Sequence, residues 1–181
     1  MLRILGIVAG LIVVALGGLV AYASTRPDQF TVQRSINIAA PAEKVFPLID
    51  DVRRMNAWNP FARKDPAIKI EYSGPPSGVG AAYAWTGNSE VGKGRAEITE
   101  ATPNEKVVMR LEMMEPMQAH NIVTLTVVPI GSGSDVTWAM RGEMPLIAKV
   151  MDVVFGMDSM IGGEFTRGLS DLKQLAEKSD T

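Results

Sequence analysis

Apolar and polar side chains alternate in short runs between residues 30 and 143, and after residue 158 the apolar positions recur at three- and four-residue intervals instead. The first period is that of strands with one buried face; the second is that of an amphipathic helix. In the helical stretch Ile161, Phe165, Leu169, Leu172 and Ala176 form one stripe, while Glu164, Arg167, Asp171 and Lys173 occupy the other side. From Pro145, two helical turns lead into this long helix, which ends near Glu177. Its apolar face needs a surface to lie on, and the alternating strands are the one candidate. The pattern therefore predicts an α+β domain in which a curved antiparallel sheet closes on a long C-terminal helix.

The strands and two short helices fall in order along the chain. Phe30, Val32, Ile36 and Ile38 share one face of a first strand, with Arg34 a charged member of that face. Pro41 in a first turn starts a helix with Val45, Phe46 and Ile49 on its apolar side. Asp50-Asp51 caps a second short helix carrying Val52, Met55 and Trp58, which stops before Asn59-Pro60. Further strands are expected at 68–72, 81–86, 95–100, 106–114, 121–128 and 135–142, the last two joined by a hairpin around Gly131-Ser132-Gly133-Ser134. Tyr83 and Trp85 share a face, as do Val107, Met109, Leu111 and Met113, and Val136, Trp138 and Met140. The inward wall is thus rich in methionine.

Ahead of this domain, residues 4–23 are uncharged and rich in Leu, Ile and Val. At about 1.5 Å per residue such a helix rises about 30 Å, the hydrocarbon thickness of a bilayer. The organisation read from this is a transmembrane anchor (or uncleaved signal) over 1–23, a linker over 24–29, and a ligand-binding domain over 30–178. Arg3 precedes the run while Arg26 and Asp28 follow it, so the positive-inside rule favours a cytoplasmic N-terminus and an exported domain, periplasmic or extracellular. Ala21-Tyr22-Ala23 before Ser24 also fits a signal-peptide cleavage site. The apolar run exceeds the roughly 7–15 residues of a signal-peptide core, which favours the anchor.

Composition narrows the chemistry. With 46% hydrophobic and 21% charged residues in 181, the chain builds one good core and an appendage. A net charge of −2 without a basic cluster argues against a nucleic-acid partner. The absence of cysteine excludes disulfides, thiolate metal sites and cysteine nucleophiles. His120 is the one histidine, which excludes a multi-histidine metal centre, and no cofactor motif is present.

Certain stretches carry a family likeness. They are Ala39-Ala40-Pro41-Ala42-Glu43-Lys44-Val45-Phe46 and Met55-Asn56-Ala57-Trp58-Asn59-Pro60-Phe61, then Tyr83-Ala84-Trp85, Val91-Gly92-Lys93-Gly94-Arg95, Thr102-Pro103-Asn104 and Gly168-Leu169-Ser170-Asp171-Leu172-Lys173. In this order and spacing the sequence resembles the polyketide cyclase/dehydrase and lipid-transport families of the START-like, or SRPBCC, superfamily. The resemblance covers the domain from Phe30 to Glu177 and implies a helix-grip fold. These are scaffold motifs, and the superfamily includes carriers, receptors and cyclases, so they leave function to the site.

A curved sheet and one straight helix cannot interdigitate along their whole length, which leaves either an adaptable core or an apolar pocket. The residues expected to bind a hydrophobic ligand there are Trp58, Phe61, Tyr83, Trp85, Met109, Met113, Trp138, Met140, Met157, Met160, Ile161 and Phe165, with Met144 and Met151 nearby. Trp58-Asn59-Pro60-Phe61 reads equally as a flap at the pocket mouth or a plug at one end of the core. Gly162, Gly163 and Gly168 clear space on the helix, for a ligand or for close packing. His120 falls in the outward phase of its strand with Thr124 and Thr126.

No catalytic set is evident, which favours a membrane-anchored domain that binds or transfers a lipid, isoprenoid or polyketide-like molecule. A cyclase or dehydratase would use the same pocket, with Tyr83, Asn56 or His120 as acid or base. A tethered protein-interaction domain would instead show a large exposed apolar patch.

Overall fold

In the computed structural model, residues 1–178 are described. An N-terminal helix α1 (Leu2–Ser24) leads into strand β1 (Gln29–Ile38), followed by α2 (Ala42–Asp50), α3 (Val52–Trp58) and a 3-10 turn (Pro60–Arg63). Strands β2 (Lys69–Ser73), β3 (Ala82–Thr86), β4 (Lys93–Thr102), β5 (Lys106–Glu115), β6 (Ala119–Ile130) and β7 (Gly133–Glu143) come next. Two helices, α4 (Leu146–Phe155) and α5 (Met157–Glu177), close the chain. The strands form one antiparallel sheet in the order β1-β7-β6-β5-β4-β3-β2, which places the first strand at one edge and the second at the other. This is the expected helix-grip architecture.

The sheet curves for identifiable reasons. Its register shifts between Ile98 and Glu100 and again between Lys93 and Gly94, leaving Thr99 of β4 and Met114 of β5 as extra residues. Each extra residue bends its strand and increases local twist. The β6–β7 turn is tighter than the Gly/Ser run suggests: Ile130 pairs with Gly133, and Gly131 takes φ 59° in a two-residue turn whose twist matches the strands.

Capping follows the sequence only in part. Asp51 caps α3, its carboxylate accepting from the N–H groups of Arg53 at 2.8 Å and Arg54 at 3.2 Å. Asp50 does not cap. Its Oδ1 is buried without a hydrogen-bond partner among the described residues, and burial, with the neighbouring Asp51 charge, raises its pKa against the opposing help of the Gly78 backbone. Pro41 stands at the N-cap of α2, just outside its first turn. The stretch after Pro145 makes a ten-residue helix, α4, because Gly156 takes the left-handed conformation, φ 71°, and restarts the chain as α5.

The two halves of α5 behave differently. Leu169, Leu172 and Ala176 join a solid core with Ile38, Val45, Ile49, Val107, Val127 and Val136. Gly168 permits the close approach, since a Cβ there would lie 2.7 Å from the Trp138 ring and 2.9 Å from Pro60. Glu164, expected on the polar side, is instead buried. The 3-10 turn covers it and Lys64 meets it at 3.1 Å, with Arg167 at 2.9 Å. Towards the start of α5 the helix is tied to β1 through Arg34, whose Nη2 lies 2.9 Å from Asp158 Oδ2 and whose Nη1 lies 3.0 Å from Oδ1. Gly162 makes room for that guanidinium, which explains why a charge sits on the inward face of β1.

Helix α1 is long and apolar enough to cross a membrane, and within the fold it packs against α4.

Two stability outcomes follow from these contacts. Gly168→Ala gains about 1 kcal/mol of helix propensity but crowds Trp138 and Pro60, so a net loss of about 1–3 kcal/mol is expected in chemical denaturation of the full chain. Asp50→Asn removes a carboxylate whose folded pKa lies above the ordinary 3.8. Both states are protonated well below that value, the parent loses stability as pH rises from it through the folded pKa, and the loss is complete above. The variant should therefore melt above the parent at neutral pH and level with it in acid.

Candidate ligand cavity

Between the first half of α5 and the sheet lies an apolar cavity of about 690 Å³. Its extent is set by strand phase and by where α5 leaves the sheet. On β5, β6 and β7 the residues nearer one end of the sheet, Met109, Leu111 and Met113, then Asn121, Val123 and Leu125, then Trp138 and Met140, form its wall. Their in-phase neighbours Val107, Val127 and Val136 belong to the solid core beyond. The boundary is an aromatic stack: Trp138 lies over Phe165 with centroids 4.1 Å apart and planes 8° from parallel, and Trp58 meets Trp138 edge-on at 5.3 Å. Such contacts add about 0.5–1.5 kcal/mol each beyond area burial and fix the floor of the cavity.

Of the residues expected at the pocket, Phe61, Tyr83, Trp85, Met109, Met113, Trp138, Met140, Met157, Ile161 and Phe165 share this cavity. Two do not. Met160 is 61% exposed, because it sits one position before Ile161 and a helix turns about 100° per residue, carrying it out to solvent. Trp58 is fully buried beneath the floor, its Nε1 donating to the Leu48 carbonyl at 2.8 Å. The Trp58-Asn59-Pro60-Phe61 stretch thus divides: Trp58 is the plug, while Asn59 and Phe61 reach the cavity. Met144 also lines it, whereas Met151 is exposed.

The polar groups on the wall are few and mostly neutral. Asn56 donates to the Tyr72 hydroxyl at 3.3 Å, and Asn59 donates to Asn56 Oδ1 at 3.5 Å. Tyr83 lies beside them, and burial pushes its phenol up to about 12, with the nearby Tyr72 adding to the rise and Asn59 opposing it. Trp85 spends its indole N–H on the Val91 carbonyl at 3.1 Å, and Trp138 Nε1 has no partner among the described residues. Asn121 joins the wall from β6, a polar member among the methionines and aromatics expected there. The alternation that turns Val123 and Leu125 inward is the signal that finds it.

His120 is exposed, as its outward phase implies, yet it stands at the rim with Met117 and Gln118. Among the described residues no group of three His, Asp or Glu side chains is placed to hold a metal ion. The arrangement can enclose an apolar body and offer it a few neutral hydrogen bonds. Among the described residues the one ionisable group it sets beside Tyr83 is Tyr72.

Comparison with known proteins fits this geometry. The profile of the family described as polyketide cyclase/dehydrase and lipid transport matches residues 29–177. The chain belongs to that family. Among solved structures, norcoclaurine synthase from Thalictrum flavum, in complex with dopamine and hydroxybenzaldehyde, superposes with a TM-score of 0.64 at 13% identity, over 84% of this chain and 90% of that one. The di-domain aromatase/cyclase StfQ of the steffimycin pathway gives 0.61 at 10% identity, over 82% of this chain and 51% of that one. A protein from Chromobacterium violaceum gives 0.59 at 17% identity, over 85% of this chain and all (100%) of that one. At these identities the likeness is one of fold. Comparison with curated proteins gives no match.

The buried phenol provides a direct check on the wall. In ultraviolet titration of the full chain, one of the three tyrosines should ionise only near pH 12, and Tyr83→Phe should remove that late step. Because the unfolded phenol ionises near 10.0, stability should fall as pH rises from there to about 12, and the variant should be spared this loss.

Proposed function

We propose that this family member is a membrane-anchored domain that binds or hands over a hydrophobic small molecule, of lipid, isoprenoid or polyketide-like character, in the cavity between α5 and the sheet. The observation that carries this reading is the cavity itself: about 690 Å³, within the roughly 300–1,000 Å³ usual for small-molecule sites, walled mainly by methionine, aromatic and aliphatic side chains. Methionine adapts to irregular apolar shapes, which suits a ligand with flexible or varied hydrocarbon. Residues 1–23 serve as the anchor, residues 24–29 as a linker and residues 30–178 as the binding domain, with the N-terminus cytoplasmic and the domain exported. Supporting this are the uncharged run over residues 4–23 of α1 and Arg3 just before that run.

A cyclase or dehydratase reading has one specific observation in its favour, the Tyr83–Asn59–Asn56 patch on the wall. A phenol held protonated up to about 12 can donate a hydrogen bond or act as a weak acid, but it supplies no base near neutrality. Binding is therefore favoured over chemistry.

Native mass spectrometry of the full chain, extracted in mild detergent, tests the proposal. A co-purifying hydrophobic adduct is expected. Ile161→Trp, which fills the cavity beside Phe165, should lower its occupancy at least tenfold, equivalent to about 1.4 kcal/mol. Met160→Trp, on the solvent side of the same turn, should leave occupancy unchanged. An adduct-free parent, or equal loss in both variants, would overturn the reading.

A further inference from the structure

Helix α4 carries an apolar face that nothing among the described residues covers. Leu146, Ile147, Met151, Val154 and Phe155 are each between 44% and 57% exposed, and at about 100° per residue they fall within one half of the helix surface. The opposite half is engaged. Lys149 is buried with its ammonium 2.5 Å from Asp28, and Asp152 accepts from Arg26 at 3.2 Å and from the Met157 N–H at 2.9 Å. Both cross-links reach residues 25–28, the segment that joins α1 to β1 and can span at most about 14 Å. Packing of α4 on α1 and these two ion pairs therefore fix the apolar face close to the end of the apolar helix.

The sheet register shows what else lies at that end. Gln29 pairs with Glu143, Asn121 with Gly142, Met113 with Ala119 and Lys93 with Glu115, so the start of β1 and the β5–β6 turn share one end of the sheet. The exposed members of the cavity wall, including Gln29, Met117, Gln118, His120 and Pro145, gather there and mark the mouth. Ser132, in the β6–β7 turn, lies at the far end, about 30 Å away by the length of β1.

We propose that α4 lies in the interface of the bilayer that α1 spans, apolar face down, so that the cavity mouth opens onto the adjoining leaflet and the ligand is a bilayer-resident amphiphile. This rests on the reading of α1 as an anchor. A bilayer fits the face better than a protein partner because α1 carries the face to the point where the chain emerges from the lipid, and because a helix with one apolar half and its polar half turned inward is what an interface accepts. The tie through Lys149 and Asp28 holds the helix at the orientation in which its apolar half faces away from the domain.

The chain contains no cysteine, so single-cysteine labelling tests this in the full-length protein. Ile147→Cys, Phe155→Cys, Met117→Cys and Ser132→Cys would each carry an environment-sensitive nitrobenzoxadiazole label in phosphatidylcholine vesicles. Labels at 147 and 155 should emit blue-shifted light, be quenched by nitroxide-bearing lipid, and resist aqueous iodide several-fold better than the label at 132. The label at 117 should be quenched by lipid carrying nitroxide at the headgroup. If labels at 147 and 155 meet iodide as readily as that at 132 while the protein resists carbonate extraction, the docking is overturned and the anchor stands; a protein partner would then be the face's occupant. A buried α4 with a water-exposed 117 would overturn the placement of the mouth. Release of the protein by carbonate would remove the anchor itself, and the docking with it.

Discussion

A straight helix can touch a curved sheet along only part of its length, and the rest of this fold depends on where that contact ends. Along the second half of α5 the contact is close, made possible by Gly168 and filled by Leu169, Leu172 and Ala176 against α2, α3 and the far half of the sheet. It ends at Phe165. From there towards Met157, helix and sheet part, with Ile161 and Met157 facing the cavity and extra residues in β4 and β5 bending the strands. The cavity is the space this divergence leaves, and the Trp138–Phe165 stack with Trp58 edge-on beneath it keeps the solid half from collapsing into the open one.

The open half needs something to hold it open, and polar contacts do this with little stabilising energy. Arg34 reaches from β1 past Gly162 to the Asp158 carboxylate and backbone carbonyl, anchoring the first turn of α5 at a fixed distance from the sheet. The pair is open to solvent on the Asp158 side, and such a pair adds little to stability. Its effect is geometric. An apolar side chain in place of Arg34 would favour closer approach of helix and strand, and the charge prevents this by requiring a partner and water.

Strand and helix placement was legible in the sequence because the two periods are clean: Val107, Met109, Leu111 and Met113 alternate without interruption, and the stripe from Ile161 to Ala176 never loses phase. The cavity wall was legible to the extent that it follows those phases. What escaped depends on neighbours distant in sequence. Glu164 looks like a surface residue until the 3-10 turn after α3 covers it and supplies Lys64. Trp58 is a floor rather than a gate because Trp138, eighty positions later in sequence, lies against it. Met160 shares the wall's apolar character, although its position on the helix, one residue from Ile161, turns it away. The length of α4 was hidden by Gly156, which ends one helix and begins another without any break in apolar character.

The chemistry of the wall limits what the cavity can select. Most of it recognises volume and flexibility, and differences of one methylene in such surroundings change affinity only modestly, by about 1–3 kcal/mol. Discrimination between classes of ligand therefore falls to the few polar groups. Tyr83, Asn56 and Asn59 cluster on the β3 and α3 side, while Asn121 stands across from them on β6. All are neutral at ordinary pH, so a ligand carrying a hydroxyl or carbonyl gains hydrogen bonds where a charged head would enter at a desolvation cost. A charged head is better accommodated at the rim, where Gln118, His120 and Glu143 remain in contact with water. On the proposed reading, an amphiphile thus has one consistent orientation: hydrocarbon towards Phe165 and polar end towards the mouth, the direction in which it would leave a leaflet and return to one.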